Sequence, residues 1–442
     1  MPSQSSPQEV AASLLAEKGL DVVSVTLLQS LWAGYGQICR IEASPKPSSP
    51  SKSQISNIED STKWKDTTKS TKQENQSYIL KLITPPPTKP NKTNESHTRK
   101  ILSYQIEQYF YTHLAPQMPS SIPVAKCLAS TNEQNQDGTS TTAMILTDLK
   151  QAFPLAGEKR ATLTRLQTLA ALDWLSNFHG FWWSRASNFD GNALVLPPLE
   201  QTKRKTSEQA NQSIWLNGGY TYLATRLDEF ANLASDTSSE WSSILTQPLP
   251  NSPSNLSLAE CLAKFLAPSP PNSNPPSHIS QYQTLIHGDV KSENLFTTAD
   301  NSTTTTSTPN QPLSVAFYDF QYAGLGLGVS DLAKFFTCSV PEAMLVYSGP
   351  CCPRREDGPM PEKLMMHDGE SDLLRRYLEN LTEVSGKEYD WDVFLRHWEV
   401  ALVDWLRFQA GWGFWGNTGW LEARVRYILA HGRLGETLAG VV

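Results

Sequence analysis

Two short polar runs, about thirty positions apart, constrain the fold of this 442-residue chain more than any other feature. The first run, IHGDVKSENLF, places His287, Asp289 and Asn294 at the spacing H-x-D-x-x-x-x-N. The second run, YDFQ, places Asp319 at the end of the apolar stretch SVAFY. Such a stretch is typical of a buried strand, so a short β-hairpin is predicted to carry both runs.

The spacing of the first run is typical of a catalytic loop for phosphoryl transfer. In such a loop, a carboxylate accepts the proton of an attacking hydroxyl, and a side-chain amide oxygen five residues later binds a metal ion. The second run supplies a further carboxylate. Phosphoryl transfer requires groups of this type because its catalysis consists mainly of positioning and of neutralising phosphate charge with Mg²⁺.

Composition and charge argue against several other classes of protein. The formal net charge is −7 and the isoelectric point is near 5.7, whereas a nucleic-acid-binding domain usually presents a basic face. The sequence contains no run of about eighteen apolar residues, and its N-terminus lacks the basic start and apolar core of a signal peptide. The six cysteines form no C-x-x-C pattern, as expected in a reducing compartment. We therefore expect a cytoplasmic protein with no membrane span and no nucleic-acid partner.

The order of the periodic segments predicts an α+β chain with two lobes. Strands and one helix form the predicted N-lobe, 1–149, and mainly helices form the C-lobe, 150–442, with a hinge near 147–150. Residues 44–77 are rich in Ser, Lys, Thr, Asn and Gln and are predicted to be a disordered insert. The predicted elements are a helix from Ser6 to near Gly19, strands over 22–29, 31–43 and 77–83, a helix over 96–114, strands over 122–130 and 143–149, and a long helix over 162–183.

Further motifs precede the catalytic runs, and each has an ordinary structural explanation when taken alone. Gly34 and Gly36 fit a hairpin turn, Lys81 fits a solvated strand edge, and Glu107 fits the exposed face of a helix. Their order along the chain is more specific. A glycine hairpin, a strand lysine, a helix glutamate, the H-x-D-x-x-x-x-N run and a strand-end aspartate follow one another as they do in a kinase fold.

The run HGDVKSENLF, followed by YDFQYAGLGLGVSDLAKFF, resembles the aminoglycoside phosphotransferase and choline-kinase-like families, including the ecdysteroid-kinase-like branch. The resemblance extends over roughly residues 20–430. It is specific in the catalytic runs, and the N-lobe matches by order and residue type. It implies a protein-kinase-like fold, with a small β-rich N-lobe that contains one main helix and a larger helical C-lobe that carries the catalytic hairpin.

The resemblance also implies the roles of single residues in the reaction. Asp289 matches the catalytic base, and Asn294 and Asp319 match ligands of Mg²⁺. Lys81 matches the lysine that binds the ATP phosphates, oriented by an ion pair with Glu107.

Other positions match parts that contact the nucleotide. Gly34 and Gly36 match glycines that let the backbone approach the phosphates closely. Thr147 and Asp148 lie at the hinge, where the adenine contacts are expected. Lys291 matches a lysine that touches the transferred phosphate in Ser/Thr protein kinases.

Two residues match supporting positions of the catalytic loop. Asp331, in SDLAKFF, matches an aspartate that braces this loop, and His287 is predicted to support the loop rather than to transfer protons. The chain departs from the family in the long interval between Gly36 and Lys81, which the insert explains. It departs also at the hinge, where relatives often carry a glutamate before the aspartate.

The predicted function is that of an ATP- and Mg²⁺-dependent kinase that transfers the γ-phosphate to a hydroxyl of a small metabolite. Choline-like, sugar, aminoglycoside-like and sterol-like alcohols all suit the fold. About a dozen residues separate Asp319 from Asp331, too few for the segment on which protein kinases dock peptides, so a protein kinase is a minor alternative. A non-catalytic nucleotide-binding or scaffold protein is the other alternative. Six tryptophans between 391 and 420 either line the substrate pocket or, as is usual at helical spacing, fill the core.

Overall fold

A computed structural model describes ten stretches of the chain, which form two compact units. The first unit comprises Met1–Pro90 and Lys126–Asp148, and the second comprises Asn91–Ala125 and Leu149–Val442. Most of the predicted insert, 47–74, lies outside the described residues. The described residues are 6–31, 34–46, 75–86, 95–134, 140–204, 213–249, 255–270, 279–299, 313–348 and 359–439.

One segment belongs to a different unit from the one predicted. The predicted N-lobe includes 91–125, whereas the structure groups this segment with the second unit. Two contacts account for the grouping. Arg99 Nη1 donates a hydrogen bond to the carbonyl oxygen of Thr225 at 2.5 Å, and the ring of Phe110 stacks on Phe320 with centroids 3.7 Å apart.

The first unit is an antiparallel five-stranded sheet with one helix packed on it. The strand order is β1-β2-β3-β5-β4, so β1 and β4 lie at the edges. The elements are α1 (Pro7–Ala16), β1 (Leu20–Ser30), β2 (Gly36–Pro45), β3 (Gln76–Ile83), β4 (Cys127–Gln134) and β5 (Ser140–Thr147).

The N-terminal helix begins where the sequence predicts. Ser6 forms a capping box, in which its Oγ accepts from the backbone N–H of Glu9 at 3.3 Å and its own N–H donates to Glu9 Oε2 at 2.7 Å. These bonds satisfy donors that the first helical turn leaves without intrahelical partners. Ala11 and Leu15 are fully buried in the sheet core together with Ile41. Burial of this apolar face holds α1 on the sheet.

Strand β4 begins five residues later than the predicted strand over 122–130. Pro123 has no backbone N–H to donate to a sheet ladder. Its carbonyl oxygen accepts a hydrogen bond from Trp174 Nε1, at 3.0 Å, within the second unit. The ladder with β5 therefore starts at Cys127, which pairs with Leu146.

The second unit is mainly helical and contains two small antiparallel sheets, β6-β8-β9 and β10-β7. Within the described parts of the chain, no helix has the length and apolar character needed to cross a bilayer. The elements are α2 (Glu95–Tyr109), which continues as a π-helical turn (Phe110–Leu114), β6 (Leu155–Ala156), α3 (Arg165–Trp183), α4 (Pro198–Gln201), α5 (Leu227–Ser235), α6 (Glu240–Thr246), α7 (Leu258–Leu266), β7 (Thr284–Ile286), β8 (Leu295–Thr297), β9 (Val315–Phe317), β10 (Gly324–Gly326), α8 (Gly328–Cys338), α9 (Glu342–Leu345), α10 (Asp368–Ser385), α11 (Trp391–Trp412), α12 (Thr418–His431) and α13 (Leu434–Leu438).

Helix α3 forms the centre of the second unit's core, and the prediction of a long buried helix here is confirmed. Thr164 caps it with a second capping box: Thr164 Oγ1 accepts from the N–H of Gln167 at 3.3 Å, and the Gln167 side chain accepts from the N–H of Thr164 at 2.9 Å. Leu175 and Phe178 on this helix are fully buried. The helix consequently provides a fixed support for the strands packed against it.

Three of the six tryptophans between 391 and 420 belong to the core. Trp398, Trp405 and Trp420 are 0%, 3% and 0% exposed, whereas Trp412 is 51% exposed. The core explanation is thus confirmed for those three. Trp412 lies at the C-terminal end of α11, where its ring remains accessible to solvent.

We expect Gly36→Ala to destabilise the first unit strongly. Gly36 has a φ of +143°, and an added Cβ would lie 2.0 Å from the carbonyl oxygen of Leu82. The strained backbone and this clash together should lower the free energy of unfolding by at least about 3 kcal/mol. Gly34→Ala is the matched control, because Gly34 also has a positive φ (+75°) but nothing within 4 Å of an added Cβ. It should lose only about 1 kcal/mol. Denaturant unfolding measures both losses, and equal values would contradict this explanation.

Candidate active site

Three short strands bring the two catalytic runs together. Strand β7 ends directly before His287, and β8 begins directly after Asn294. Strand β9 pairs with β8 in antiparallel register, and the N–H of Tyr318 then donates to the carbonyl oxygen of Asn294 at 3.0 Å. Because Asp319 follows Tyr318, this pairing places Asn294 and Asp319 at the same end of the hairpin.

One buried carboxylate, that of Asp331, holds the backbone of the catalytic loop by hydrogen bonds. Asp331 accepts hydrogen bonds from the backbone N–H of His287 at 2.7 Å and from that of Gly288 at 2.9 Å. His179 Nε2 lies 3.1 Å from the same carboxylate. Gly288 has a φ of +80°, and a Cβ there would lie 2.3 Å from the carbonyl oxygen of Tyr322. The prediction that Asp331 braces this loop is confirmed.

His287 supports the loop with both ring nitrogens. Its Nδ1 accepts from the backbone N–H of Asp289 at 3.2 Å, so the ring proton is assigned to Nε2, which donates to the carbonyl oxygen of Tyr318 at 3.0 Å. Burial lowers the pKa of His287 despite the nearby carboxylates of Asp331 and Asp289. Both ring nitrogens contact the backbone, as the prediction of a supporting role requires, and the absence of proton transfer by His287 stays a prediction.

Asp289 is a buried carboxylate with positive charge on two sides. Its Oδ2 lies 3.2 Å from Lys291 Nζ and accepts from Asn294 Nδ2 at 3.0 Å. Its Oδ1 accepts from Lys334 Nζ. Burial raises the pKa of this carboxyl, but Lys334 and then Lys291 outweigh burial and hold the pKa well below its usual range. Asp289 is therefore ionised at neutral pH, as a proton acceptor must be.

Asn294 and Asp319 offer oxygen atoms of the kind that can bind Mg²⁺. Asn294 Nδ2 donates to both the backbone carbonyl (2.9 Å) and the carboxylate (3.0 Å) of Asp289, so the amide oxygen is the atom directed elsewhere. Asp319 has a φ of +67°, an uncommon conformation for a residue other than glycine and one often found at functional sites. One amide oxygen and one carboxylate suit Mg²⁺, which keeps its other positions for water and phosphate oxygens. Among the described residues, no cluster of three or more His, Cys, Asp or Glu forms an alternative metal cage.

Lys291 forms ion pairs with two carboxylates of this site. Its Nζ lies 2.6 Å from Glu293 Oε1 as well as near Asp289. Burial lowers the pKa of Lys291, but Asp289, Glu293 and Asp319 outweigh burial and raise it above its usual value. The side chain thus remains a cation beside the predicted base.

Lys334 is the residue of this site that the sequence analysis missed. It lies on α8, three residues after Asp331, and is only 4% exposed. Residues three apart share a helix face, so the helix that presents Asp331 to the loop backbone also presents Lys334 to Asp289. The available signal was a single lysine within the apolar run LAKFF, since a charge in such a run requires a partner.

In the first unit, the structure gives Gly36 a structural role. Its missing Cβ allows the start of β2 to approach Leu82 on β3. Lys81, the predicted phosphate ligand, lies on β3 opposite Ile38 and Met144 and is 6% exposed. The strand position is as predicted, but the side chain is buried instead of lying at a solvated edge.

The predicted hinge residues are also engaged within the first unit. Thr147 Oγ1 accepts from the backbone N–H of Lys126 at 3.0 Å. Asp148 Oδ2 accepts from Arg40 Nε and from Ser77 Oγ, each at 2.9 Å. These bonds fasten the end of β5 to β3, to β2 and to the residue that precedes β4.

Glu107, on α2 in the second unit, is 2% exposed. The pKa of the Tyr111 hydroxyl is raised well above its usual value, first by burial and then by the charges of Glu107 and Asp319. The charges of Glu107 and Asp319 therefore both raise the pKa of the Tyr111 hydroxyl. The ion pair between Glu107 and Lys81 stays a prediction.

The sheet-containing unit, the helical unit and the catalytic hairpin define an α+β, protein-kinase-like fold. The chain belongs to the ecdysteroid kinase-like family, whose model matches residues 56–348, about two thirds of the sequence. The sequence matches no curated protein.

Several solved phosphotransferases are similar at low identity. An aminoglycoside-3'-phosphotransferase of type VIII is 12% identical, with a TM-score of 0.35 over 87% of this chain and 94% of that chain. A macrolide 2'-phosphotransferase from Brachybacterium faecium is 12% identical, with a TM-score of 0.35 over 98% and 97%. A choline kinase from Cryptosporidium parvum is 11% identical, with a TM-score of 0.32 over 96% and 89%.

The low pKa of Asp289 predicts a pH-dependent contribution to stability. A carboxyl whose pKa is lower in the folded state than in the unfolded chain, where it is about 3.9, stabilises the fold above that pH, and this contribution is lost as the pH falls toward the folded-state value. The free energy of unfolding should therefore be about 3 kcal/mol higher for wild type than for Asp289→Asn between about pH 5 and pH 8, because Asn leaves Lys334 buried without its carboxylate. Below about pH 4 the difference should shrink.

Denaturant unfolding at each pH measures this difference, with Asp372→Asn on the exposed face of α10 as the matched control. A wild-type advantage that does not change between pH 5 and pH 2 would show that the carboxyl is not held ionised by its lysine partners.

Proposed function

We propose that this protein is an ATP- and Mg²⁺-dependent kinase that transfers the γ-phosphate of ATP to a hydroxyl of a small metabolite. One observation carries the proposal: the amide of Asn294 is fixed to the carboxylate of Asp289, and the β8–β9 register brings Asp319 to the same end of the hairpin. A base and two metal-ligand side chains at one place are the groups that phosphoryl transfer needs.

The carboxylate of Asp289 would accept the proton of the attacking hydroxyl. It is held for this by the hydrogen bond from Asn294 and by the ammonium groups of Lys291 and Lys334. A base of low pKa is sufficient, because the transition state of phosphoryl transfer is loose in most analyses and needs little removal of the proton at an early stage. Positioning of the hydroxyl supplies the larger part of the rate.

Asn294 and Asp319 would hold Mg²⁺, which when bound neutralises phosphate charge and bridges phosphate oxygens. Lys291 would contact the transferred phosphate from the side of the base. Its cationic state, maintained by Glu293 and Asp289, supports this role.

The nucleotide would be bound by residues of the first unit together with Glu107. As the resemblance implies, Lys81 would contact the ATP phosphates and pair with Glu107. The turn at Gly34 would lie against the phosphates. Since the carboxylate of Asp148 already binds Arg40 and Ser77, we assign the adenine contacts to the backbone of 147–148.

The segment after Asp319 favours a small acceptor over a peptide. Residues 322–329 are buried, and β10 within them pairs with β7. A protein kinase presents an exposed segment at this point, on which the peptide substrate docks. In this chain, strand β10 and the start of α8 occupy the residues between Asp319 and Asp331.

The assignment of the base predicts that Asp289→Asn reduces turnover by about 10² to 10⁴ and leaves ATP binding within a few-fold of wild type. Purified protein is incubated with MgATP and a metabolite extract, and new phosphorylated products are detected by mass spectrometry. Asp372→Asn, on the surface of α10, is the matched control and should retain full turnover.

Retained turnover in Asp289→Asn would refute the base. The absence of any wild-type product, with MgATP binding confirmed by calorimetry, would favour the non-catalytic nucleotide-binding alternative.

The assignment of the metal ligand predicts that Asp319→Asn loses Mg²⁺-dependent nucleotide binding. Asparagine tolerates the left-handed backbone conformation found here, with its φ of +67°, so the substitution removes the charge and leaves the local fold in place. Calorimetric titration of ATP with and without Mg²⁺ should show that Mg²⁺ tightens binding to wild type at least about 10-fold more than to the variant. An unchanged effect of Mg²⁺ in the variant would exclude Asp319 as a ligand.

A further inference from the structure

Helix α2 ends in a wide π-helical turn that packs against the residues beginning at Asp319. In this turn the backbone N–H of Ala115 donates to the carbonyl oxygen of Phe110, five residues earlier, whereas an α-helix repeats its hydrogen bonds every four residues. Turns of this kind are rare and are found frequently at functional sites. The side chains of the turn therefore indicate a role at the neighbouring catalytic hairpin.

Two consecutive side chains of the turn contact Phe320, the residue that follows Asp319. The ring of Phe110 stacks on that of Phe320 with centroids 3.7 Å apart, and the ring of Tyr111 meets it edge-on at 5.7 Å. Consecutive side chains of an α-helix point about 100° apart, and a wider turn reduces this angle. All three rings are buried. The turn thus lets both rings hold the direct neighbour of the predicted metal ligand.

The hydroxyl of Tyr111 also reaches the backbone of Asp319. The N–H of Asp319 donates a hydrogen bond to the hydroxyl oxygen. The φ of Asp319 is +67°, a conformation that few residues other than glycine adopt and that persists only where the surrounding structure holds it. Burial first, and then the charges of Glu107 and Asp319, raise the pKa of the Tyr111 hydroxyl well above its usual value, so it stays neutral. Tyr111 can therefore hold this backbone without adding a charge to the site.

We propose that Tyr111 is a positioning residue of the Mg²⁺ site: its hydroxyl, supported by the packing of Phe110 on Phe320, keeps the backbone of Asp319 in the left-handed conformation from which the carboxylate would bind the metal. The inference rests on the proposed function, in which Asp319 is a ligand of Mg²⁺. It adds to that function a residue of α2 that lies in neither of the two catalytic runs.

The physical reason is that the direction of a side chain depends on the backbone conformation of its own residue. Without the hydroxyl, the N–H of Asp319 loses its buried acceptor, and the left-handed conformation loses part of its support. The backbone then populates other conformations as well. Only the fraction that keeps the original conformation is ready to bind Mg²⁺, so the apparent affinity for the metal falls by that fraction.

The first test uses Tyr111→Phe, which keeps the ring and removes only the hydroxyl. Calorimetric titration of ATP with and without Mg²⁺ gives the factor by which Mg²⁺ tightens ATP binding. This factor should be about 5- to 10-fold smaller in the variant than in wild type, because one buried donor has lost its acceptor. ATP binding without Mg²⁺ should be unchanged. Tyr109→Phe is the matched control and should keep the full effect of Mg²⁺, because Tyr109 lies in the same helix and its ring stacks on His113 instead.

Each outcome of this titration decides a different claim. An equal effect of Mg²⁺ on wild type and on Tyr111→Phe would overturn the inference and leave the proposed function in place. An equal loss in Tyr109→Phe would also overturn it, because the loss would then belong to the helix as a whole. If Mg²⁺ does not tighten ATP binding to wild type, the proposed function itself fails, and the role of Tyr111 at the metal fails with it.

The second test needs neither nucleotide nor metal. Hydrogen exchange, resolved to single amides by mass spectrometric fragmentation, compares the N–H groups of Asp319 and Tyr318 in wild type and in Tyr111→Phe. The N–H of Asp319 should exchange at least about 5-fold faster in the variant. The N–H of Tyr318 donates to the carbonyl oxygen of Asn294 at 3.0 Å and should keep its rate.

Two results of the exchange experiment would refute the positioning role. An unchanged rate at Asp319 would show that the hydroxyl does not hold this backbone. Equal acceleration at Asp319 and Tyr318 would show a general loosening of the hairpin, in which Tyr111 stabilises the fold without positioning the metal ligand.

Discussion

The catalytic loop depends on the hydrogen bonds that Asp331 accepts from the backbone of His287 and Gly288. These N–H groups are buried, and a buried donor without a partner costs about 1–3 kcal/mol. Gly288 adopts a positive φ and directly precedes Asp289. Because Asp331 holds the N–H of Gly288, it also sets the orientation of Asp289. His179 binds the carboxylate in turn and connects the loop to the long helix α3. The position of Asp289 is therefore fixed by the core of the second unit.

The second requirement is a counter-charge for the carboxylate of Asp289. It arises because this carboxylate is buried. Asp289 is 6% exposed, and a carboxylate at that depth without a partner would bind a proton. Lys334 and Lys291 keep it ionised, and the same pairing makes it a weak base. A loose phosphoryl-transfer transition state would tolerate a weak base, so this low basicity is compatible with the role proposed for Asp289.

The parts of this site that depend on local sequence were predictable, and those that depend on packing across the fold were not. The spacing from Asp289 to Asn294 and the strand that ends before Asp319 are local patterns, and the capping boxes at Ser6 and Thr164 are too. Lys334 lies 45 positions from Asp289, and no local pattern shows which face of a buried helix meets the loop.

Resemblance to a family assigns a residue a role toward the ligand, and the structure shows a second, structural role at the same residue. Gly36 matches a phosphate-loop glycine, yet the nearby carbonyl of Leu82 already requires glycine at this position. Asp148 matches a hinge residue, yet its carboxylate holds Arg40 and Ser77. Within the second unit, Asp331 and Lys334 lie on one turn of α8, so a single helix both holds the backbone of the loop and supplies the counter-charge of Asp289. The ammonium group of Lys334 thus helps to keep Asp289 ionised from the same helix turn that holds the loop backbone.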